Sequence, residues 1–204
     1  AGVTALAAGS ITVGTVGSTT AALTCTAASG GTPTYTYQWY RSTTGGFTPG
    51  VGNAISGATG LSLSDSGLSP STTYYYKLVA TDSSSATATT SQASVTTPAT
   101  LAAGTITLGT VAPTTAALTC TAASGGATPY SYQWKRDGSS IVGATSLTLN
   151  DTGLTPGTSY TYTLTVTDAA GATATATKGA TTPVSLAAGS ITVARSSSAC
   201  SASI

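Results

Sequence analysis

Few side chains in this 204-residue sequence can do chemistry: five acids, six bases and three thiols, with no His and no Met. All the acids are Asp (Asp65, Asp82, Asp137, Asp151 and Asp168). Without His or Glu, the common general bases, the His-bearing zinc sites and most nucleophile–base pairs are missing. Hydrolytic chemistry would need an acid pair such as Asp137 and Asp151 to converge. We therefore expect no catalytic residue, no cofactor and no metal centre. The Asp residues do not form the D-x-D or D-x-N-x-D clusters of a calcium loop. Each stands among Ser, Thr or Gly, where an Asp side chain caps its own turn, so turn capping is the role predicted for them.

The remaining composition narrows the class further. Charged residues make up 5% of the chain and the net charge is +1, against roughly a quarter charged in an ordinary soluble domain. There is no basic stripe for phosphates and no polybasic segment for an anionic membrane, so nucleic acid is not an expected partner. Thr and Ser number 46 and 28. No apolar run approaches the roughly 20 residues of a membrane helix. Ala1 is not a start methionine and no signal peptide follows it, which reads as a processed form or a fragment.

An internal repeat organises the chain. Leu6-Ala7-Ala8-Gly9-Ser10-Ile11-Thr12-Val13 returns as LAAGTITL at 101–108 and as LAAGSITV at 186–193. TTAALTCTAASGG at 19–31 returns at 114–126, and Tyr37-Gln38-Trp39 returns as Tyr132-Gln133-Trp134. The expected layout is an N-terminal segment 1–5, repeat 1 at 6–100, repeat 2 at 101–185, and the opening strand of a third repeat with a tail at 186–204. Apolar residues alternate with a period of two, as in Tyr160, Tyr162, Leu164 and Val166, the mark of half-buried strands. No segment has helical spacing. The fold class is all-β: two tandem antiparallel sandwiches of about seven short strands each, plus a C-terminal orphan strand. Repeat 1 is longer by an insertion at 45–52 (GGFTPGVG), expected to be an extended loop.

The stretch Leu68-Ser69-Pro70-Ser71-Thr72-Thr73-Tyr74, mirrored by Leu154-Thr155-Pro156-Gly157-Thr158-Ser159-Tyr160, resembles the L-x-P-x-T-x-Y run of fibronectin type III domains, in which Tyr is the tyrosine-corner residue. The upstream half is similar to immunoglobulin domains, with Cys25 and Cys120 on the second strand and Trp39 and Trp134 on the third. The resemblance implies that Cys25, Trp39, Tyr74, Cys120, Trp134 and Tyr160 are core residues. It also implies a departure: two positions after the corner Tyr, where an immunoglobulin domain has its second Cys, stand Tyr76 and Tyr162, so the intersheet disulfide cannot form. Tandem modules of this kind are common in bacterial surface, secreted and phage structural proteins.

Other candidate sites lie outside the repeated core. Tyr40, Tyr75 and Phe47 are expected outside, and Phe47, in the 45–52 loop, is the candidate ligand contact, set against the reading of a loop residue folded back on its own domain. Asn150 opens an N-glycosylation sequon. Ile191, Val193 and Cys200 are the candidate intersubunit residues, Cys200 as a leftover thiol suited to an intermolecular bond. Outward-facing Thr, Ser and Ala, as in 86–90 and 173–177, leave strand edges without charge, and such edges template pairing with another chain. The function expected is a non-enzymatic structural subunit of an extracellular assembly: a filament, surface layer or virion appendage that self-associates through edge strands and the C-terminal tail, with glycans as further candidate partners. The alternative is an adhesin or carbohydrate-binding accessory module.

Overall fold

The computed structural model describes residues 4–186. The first sandwich contains β1 (Ile11–Val16), β2 (Thr20–Cys25), β3 (Thr36–Ser42), β4 (Ser62–Ser66), β5 (Thr73–Thr81), β6 (Thr87–Thr89) and β7 (Ala93–Thr96). The second contains β8 (Ile106–Ala112), β9 (Thr115–Cys120), β10 (Ser131–Arg136), β11 (Ser139–Ser140), β12 (Thr148–Thr152), β13 (Ser159–Thr167) and β14 (Thr173–Thr181). In each, a three-stranded sheet (β1-β2-β4; β8-β9-β12) faces a larger one (β3-β5 with β6 and β7; β11-β10-β13-β14), and every pairing is antiparallel. The orphan strand expected at 186–193 lies outside the described residues, Leu186 excepted.

Alternation builds the two cores. Along β5, Tyr74, Tyr76, Leu78 and Ala80 are buried while the residues between them are half-exposed. Trp39 and Trp134 are fully enclosed between the sheets, and each indole N–H donates to a backbone carbonyl, Gly60 and Ser146 respectively, at 2.8 Å. Cys25 and Cys120 are buried free thiols, and burial raises the pKa of each. The corner tyrosines accept backbone N–H groups five residues upstream: Ser69 to Tyr74 and Thr155 to Tyr160, both at 2.8 Å. Tyr74 is buried, and Tyr160 is half-buried and packs against the second core. The cross-strand neighbour explains the difference, since Val95 stands opposite Tyr74 and the smaller Ala180 opposite Tyr160.

The repeats diverge at the edges. In repeat 2 the third strand turns through Asp137-Gly138, both at positive φ (48° and 82°), into the short β11, as a two-residue hairpin requires. Repeat 1 has the longer insertion there. Its last strand is also broken into β6 and β7 around Thr90, whose Oγ1 accepts the Leu78 N–H at 3.0 Å, whereas β14 runs unbroken for nine residues.

Candidate functional site

The most concentrated ionisable chemistry in each repeat lies between its sheets. Asp65 belongs to β4 and Asp151 to β12, and they share the inward face with Leu63 and Leu149. Both carboxylates are buried on strands, not in turns, which corrects the expected capping role. Arg41 Nη1 donates to both Asp65 oxygens at 2.7 Å, and the Tyr76 hydroxyl donates to Oδ2 at 2.8 Å. Repeat 2 reproduces the arrangement: Arg136 Nη1 reaches Asp151 Oδ2 at 2.9 Å and the Tyr162 hydroxyl reaches the same oxygen at 2.8 Å. Each guanidinium also lies over the corner tyrosine ring, 5.5 Å from the Tyr74 centroid and 5.6 Å from that of Tyr160.

The acid comes from the smaller sheet, and the base and phenol from the larger one. A polar bond thus spans the sandwich at the position where the resemblance would put a second cysteine. Burial first, then the adjacent carboxylate, raises Tyr76 and Tyr162 well above the ordinary phenol pKa, so both hydroxyls remain donors. Burial works to lower the Arg41 pKa, but the Asp65 hydrogen bond and charge outweigh it; at Arg136 the Asp151 hydrogen bond leads, and both guanidinia are held above their usual value. Each carboxylate has its partners in place. A donor held this firmly suits cohesion between the sheets.

The other acids are used locally. Asp82 Oδ1 accepts from the N–H groups of Ser84 and Ala86 and from the Ser84 hydroxyl, while Oδ2 accepts the Thr32 N–H, tying the last hairpin to the loop before β3. Asp168 does the same with Ala170, Ala172 and Ala127. Asp137 accepts the Thr161 N–H at 2.7 Å. Among the described residues no group of three or more His, Cys, Asp or Glu gathers as a metal site. Asp137 and Asp151 each bond within different parts of the second sandwich and form no acid pair with each other.

Phe47 is not a presented aromatic: it is 9% exposed, in keeping with a loop residue that folds back on its own domain. The insertion folds back over the outer face of the larger sheet. Lys77 Nζ sits 5.2 Å above the Phe47 ring and donates to its carbonyl at 2.7 Å, and Gly46 N–H reaches Gln92 in the gap between β6 and β7. A 3-10 turn, Val51–Asn53, closes the loop. Tyr40 and Tyr75 are half-buried, and Tyr75 lies beside Gly45. A polar groove of about 470 Å³ runs beside Arg41, Asn53, Ile55 and Ser64, but the matching groove of repeat 2 has no arginine, so it is not a repeated site. Asn150 is exposed on β12, an edge strand. Ile191, Val193 and Cys200 lie outside the described residues.

Composition and spacing do not group the triads, although alternation carries part of the signal. Asp65 is two residues from Leu63 and Asp151 two from Leu149, so a strict period of two turns each acid inward. Arg41 and Arg136 follow the core Trp at the same distance.

No protein-family model matches the chain, and no curated protein does. Among solved structures it is similar to the central fibronectin-III array of RIM-binding protein, at 10% identity and a TM-score of 0.32, over 87% of this chain and 69% of that one. It is also similar to the FN1-FN3 domains of chicken CNTN1, at 13% identity and a TM-score of 0.46, over 87% of this chain and 64% of that one. The strand order and corner tyrosines described above resemble those of fibronectin type III domains, and the chain is two tandem antiparallel β-sandwiches, each with its sheets tied by Arg, Asp and Tyr.

Proposed function

We propose that the protein is a non-enzymatic structural subunit of an extracellular assembly, a filament, surface layer or virion appendage in which the two sandwiches act as a spacer. The observation that carries this reading is the way the fold uses its charges. The described acids are engaged inside their own repeats, while the outward positions of β13 and β14 carry Thr with Ser159 and Gly179 and no charge; Lys178 stands opposite Tyr162 on the other face. Such a surface offers methyl and hydroxyl groups to a neighbour and little charge to hold it off. The β14 strand is the outermost of its sheet, an edge of the kind that pairs with another chain. The linker supports a spacer role. Thr97 is buried, and its hydroxyl donates to Ser69 O at 2.6 Å and accepts from Thr72 N–H at 3.0 Å; Thr182 repeats both bonds with Thr155 and Thr158. Asn150 is open to a glycan on its edge strand. Electron microscopy of the purified chain tests the proposal: regular filaments or lattices are expected, and dispersed particles together with selective binding on a glycan array would replace it with the adhesin reading.

A further inference from the structure

The two repeats are joined without slack. The Pro98 carbonyl accepts the Ser71 N–H of repeat 1 at 3.2 Å, and the very next carbonyl, of Ala99, accepts the Gly126 N–H of repeat 2 at 2.7 Å. Each peptide unit is a rigid plane, so only φ and ψ of Ala99 lie between a plane held by one repeat and a plane held by the other. The anchoring continues on both sides. Buried Thr97 gives its N–H to the Thr72 carbonyl at 3.0 Å. Thr100 passes so close to Gly125 that a Cβ there would collide with its carbonyl, and Leu101 is buried against Gly126. Both kinds of anchor belong to the repeats themselves: Gly31 N–H donates to Thr4 O at the entry to repeat 1, and Gly157 N–H to Pro183 O at the exit from repeat 2.

A second contact, remote in sequence, restrains the Ala99 dihedrals. The β1–β2 turn of repeat 1 meets the β13–β14 hairpin of repeat 2, where a Cβ on Gly17 would stand 3.0 Å from the Ala170 Cβ, tighter than ordinary van der Waals contact. Gly17 is not at positive φ, so its backbone does not require glycine. The same Cβ would also stand 2.6 Å from Thr20 Oγ1, but the matching turn of repeat 2 carries Ala112 before Thr115 and thus accommodates a Cβ. The space in front of Ala170 is what calls for the smallest residue. Burial follows the contact: Gly17 and Ser18 are buried where Ala112 and Pro113 are half-buried, and Ala170 is half-buried where Ser84, on the matching hairpin, is exposed.

We propose that the two repeats form one rigid body whose angle is set by the Gly17–Ala170 contact and held through Ala99, a stiff unit of fixed length and bend. Motion between neighbouring domains is the default where the surface they share is small. Here the doubly anchored linker supplies the restraint that contact area does not: a swing one way drives Ala170 onto Gly17, and a swing the other way uncovers Gly17 and Ser18. The unit is a property of a single chain, whether or not copies assemble.

Pulsed dipolar electron paramagnetic resonance on the full chain tests it. Cys200→Ser removes one thiol, while Cys25 and Cys120 remain; both are buried with raised pKa and take up no label in the folded chain. Ser94→Cys on β7 and Thr177→Cys on β14, both exposed, carry one nitroxide in each repeat, and dilution with unlabelled chain removes distances between copies. A single narrow distance distribution is expected. Inserting Gly-Gly between Pro98 and Ala99 should widen it severalfold. Gly17→Leu should shift its mean, as should Ala170→Leu, which adds the bulk from the hairpin side; Ala112→Leu should leave it in place. Continued protection of Cys25 and Cys120 from thiol reagents identifies the variants that are folded. A native distribution as wide as that of the insertion variant would overturn the rigid body. Folded Gly17→Leu or Ala170→Leu chains with the native distance would overturn the contact as the element that sets the angle. A narrow distribution in a chain that forms no filament or lattice would remove the structural-subunit reading and leave the rigid pair standing.

Discussion

Asp65 and Asp151 matter most among single residues because each accepts bonds from two strands of the opposite sheet. The Arg41 side chain is 32% exposed, so its ion pair falls between a surface pair of small value and a buried one that is costly to break. The phenol bond is fully enclosed. Tyr76→Phe keeps the ring and removes only the donor to a charged acceptor, and should lower the stability of repeat 1 by ~2 kcal/mol, read as a shift in its urea midpoint. Tyr162→Phe should act on repeat 2 in the same way. Asp82 sets the acid response. The Thr32 N–H, foremost among its donors, holds its pKa below the ordinary carboxylate value. A depressed folded pKa contributes stability that is present above the unfolded pKa and is lost as pH falls through the folded one. Thermal midpoints should therefore fall on the acid side, and Asp82→Asn should flatten that fall; an unchanged slope would remove Asp82 as its source. With no His in the chain, no side chain of ordinary pKa titrates between about pH 5 and 8, and the midpoint should be level there. These inward acids were legible from alternation alone. Their partners were not, because the sequence places Arg41 and Asp65 on different sheets and says nothing of how the sheets face one another.

At the scale of elements, the two sandwiches differ where one adds a layer. On the outer face of β5 stand Tyr75 and Lys77, and at the matching positions of β13 stand Thr161 and Thr163. The bulkier pair belongs to the repeat that carries the insertion, and Phe47 lies under Lys77 as its lid. Sequence alternation correctly assigned Tyr75 to the outside of the sheet, but it cannot register a loop that returns to cover that outside. A period of two describes the two faces of a strand and nothing beyond them. Phe47→Ala should therefore cost repeat 1 ~2 kcal/mol from the apolar area re-exposed, with repeat 2 unaffected. Separate tryptophan signals from Trp39 and Trp134, each kept alone by replacing the other with Phe, would resolve the two transitions. An unchanged repeat 1 midpoint would mean that the insertion is held by Gln92 and Lys77 alone.

The whole molecule carries a net charge of +1 and few charges of either sign, so its self-association has little Coulomb repulsion to overcome and little attraction to draw on. Surface interactions between charges fade over a Debye length of about 10 Å at 0.1 M salt. An assembly held by steering or by rim ion pairs would weaken as that length shrinks. One held by backbone pairing and apolar burial would not, and salts excluded from the protein surface would strengthen it. Sedimentation of the full chain should thus give the same association between about 0.05 and 0.5 M NaCl, and tighter association in sulfate. The two outcomes separate the forces, because only accessible charges respond to NaCl, and among the described residues of repeat 2 these include the exposed Asp137 and Lys178 and the half-buried Lys135. A steep loss with NaCl would trace assembly to those lysines, and Lys178→Gln would then abolish it. Insensitivity to NaCl with strengthening in sulfate would instead locate the driving force in the uncharged edges and in the uncovered Leu186.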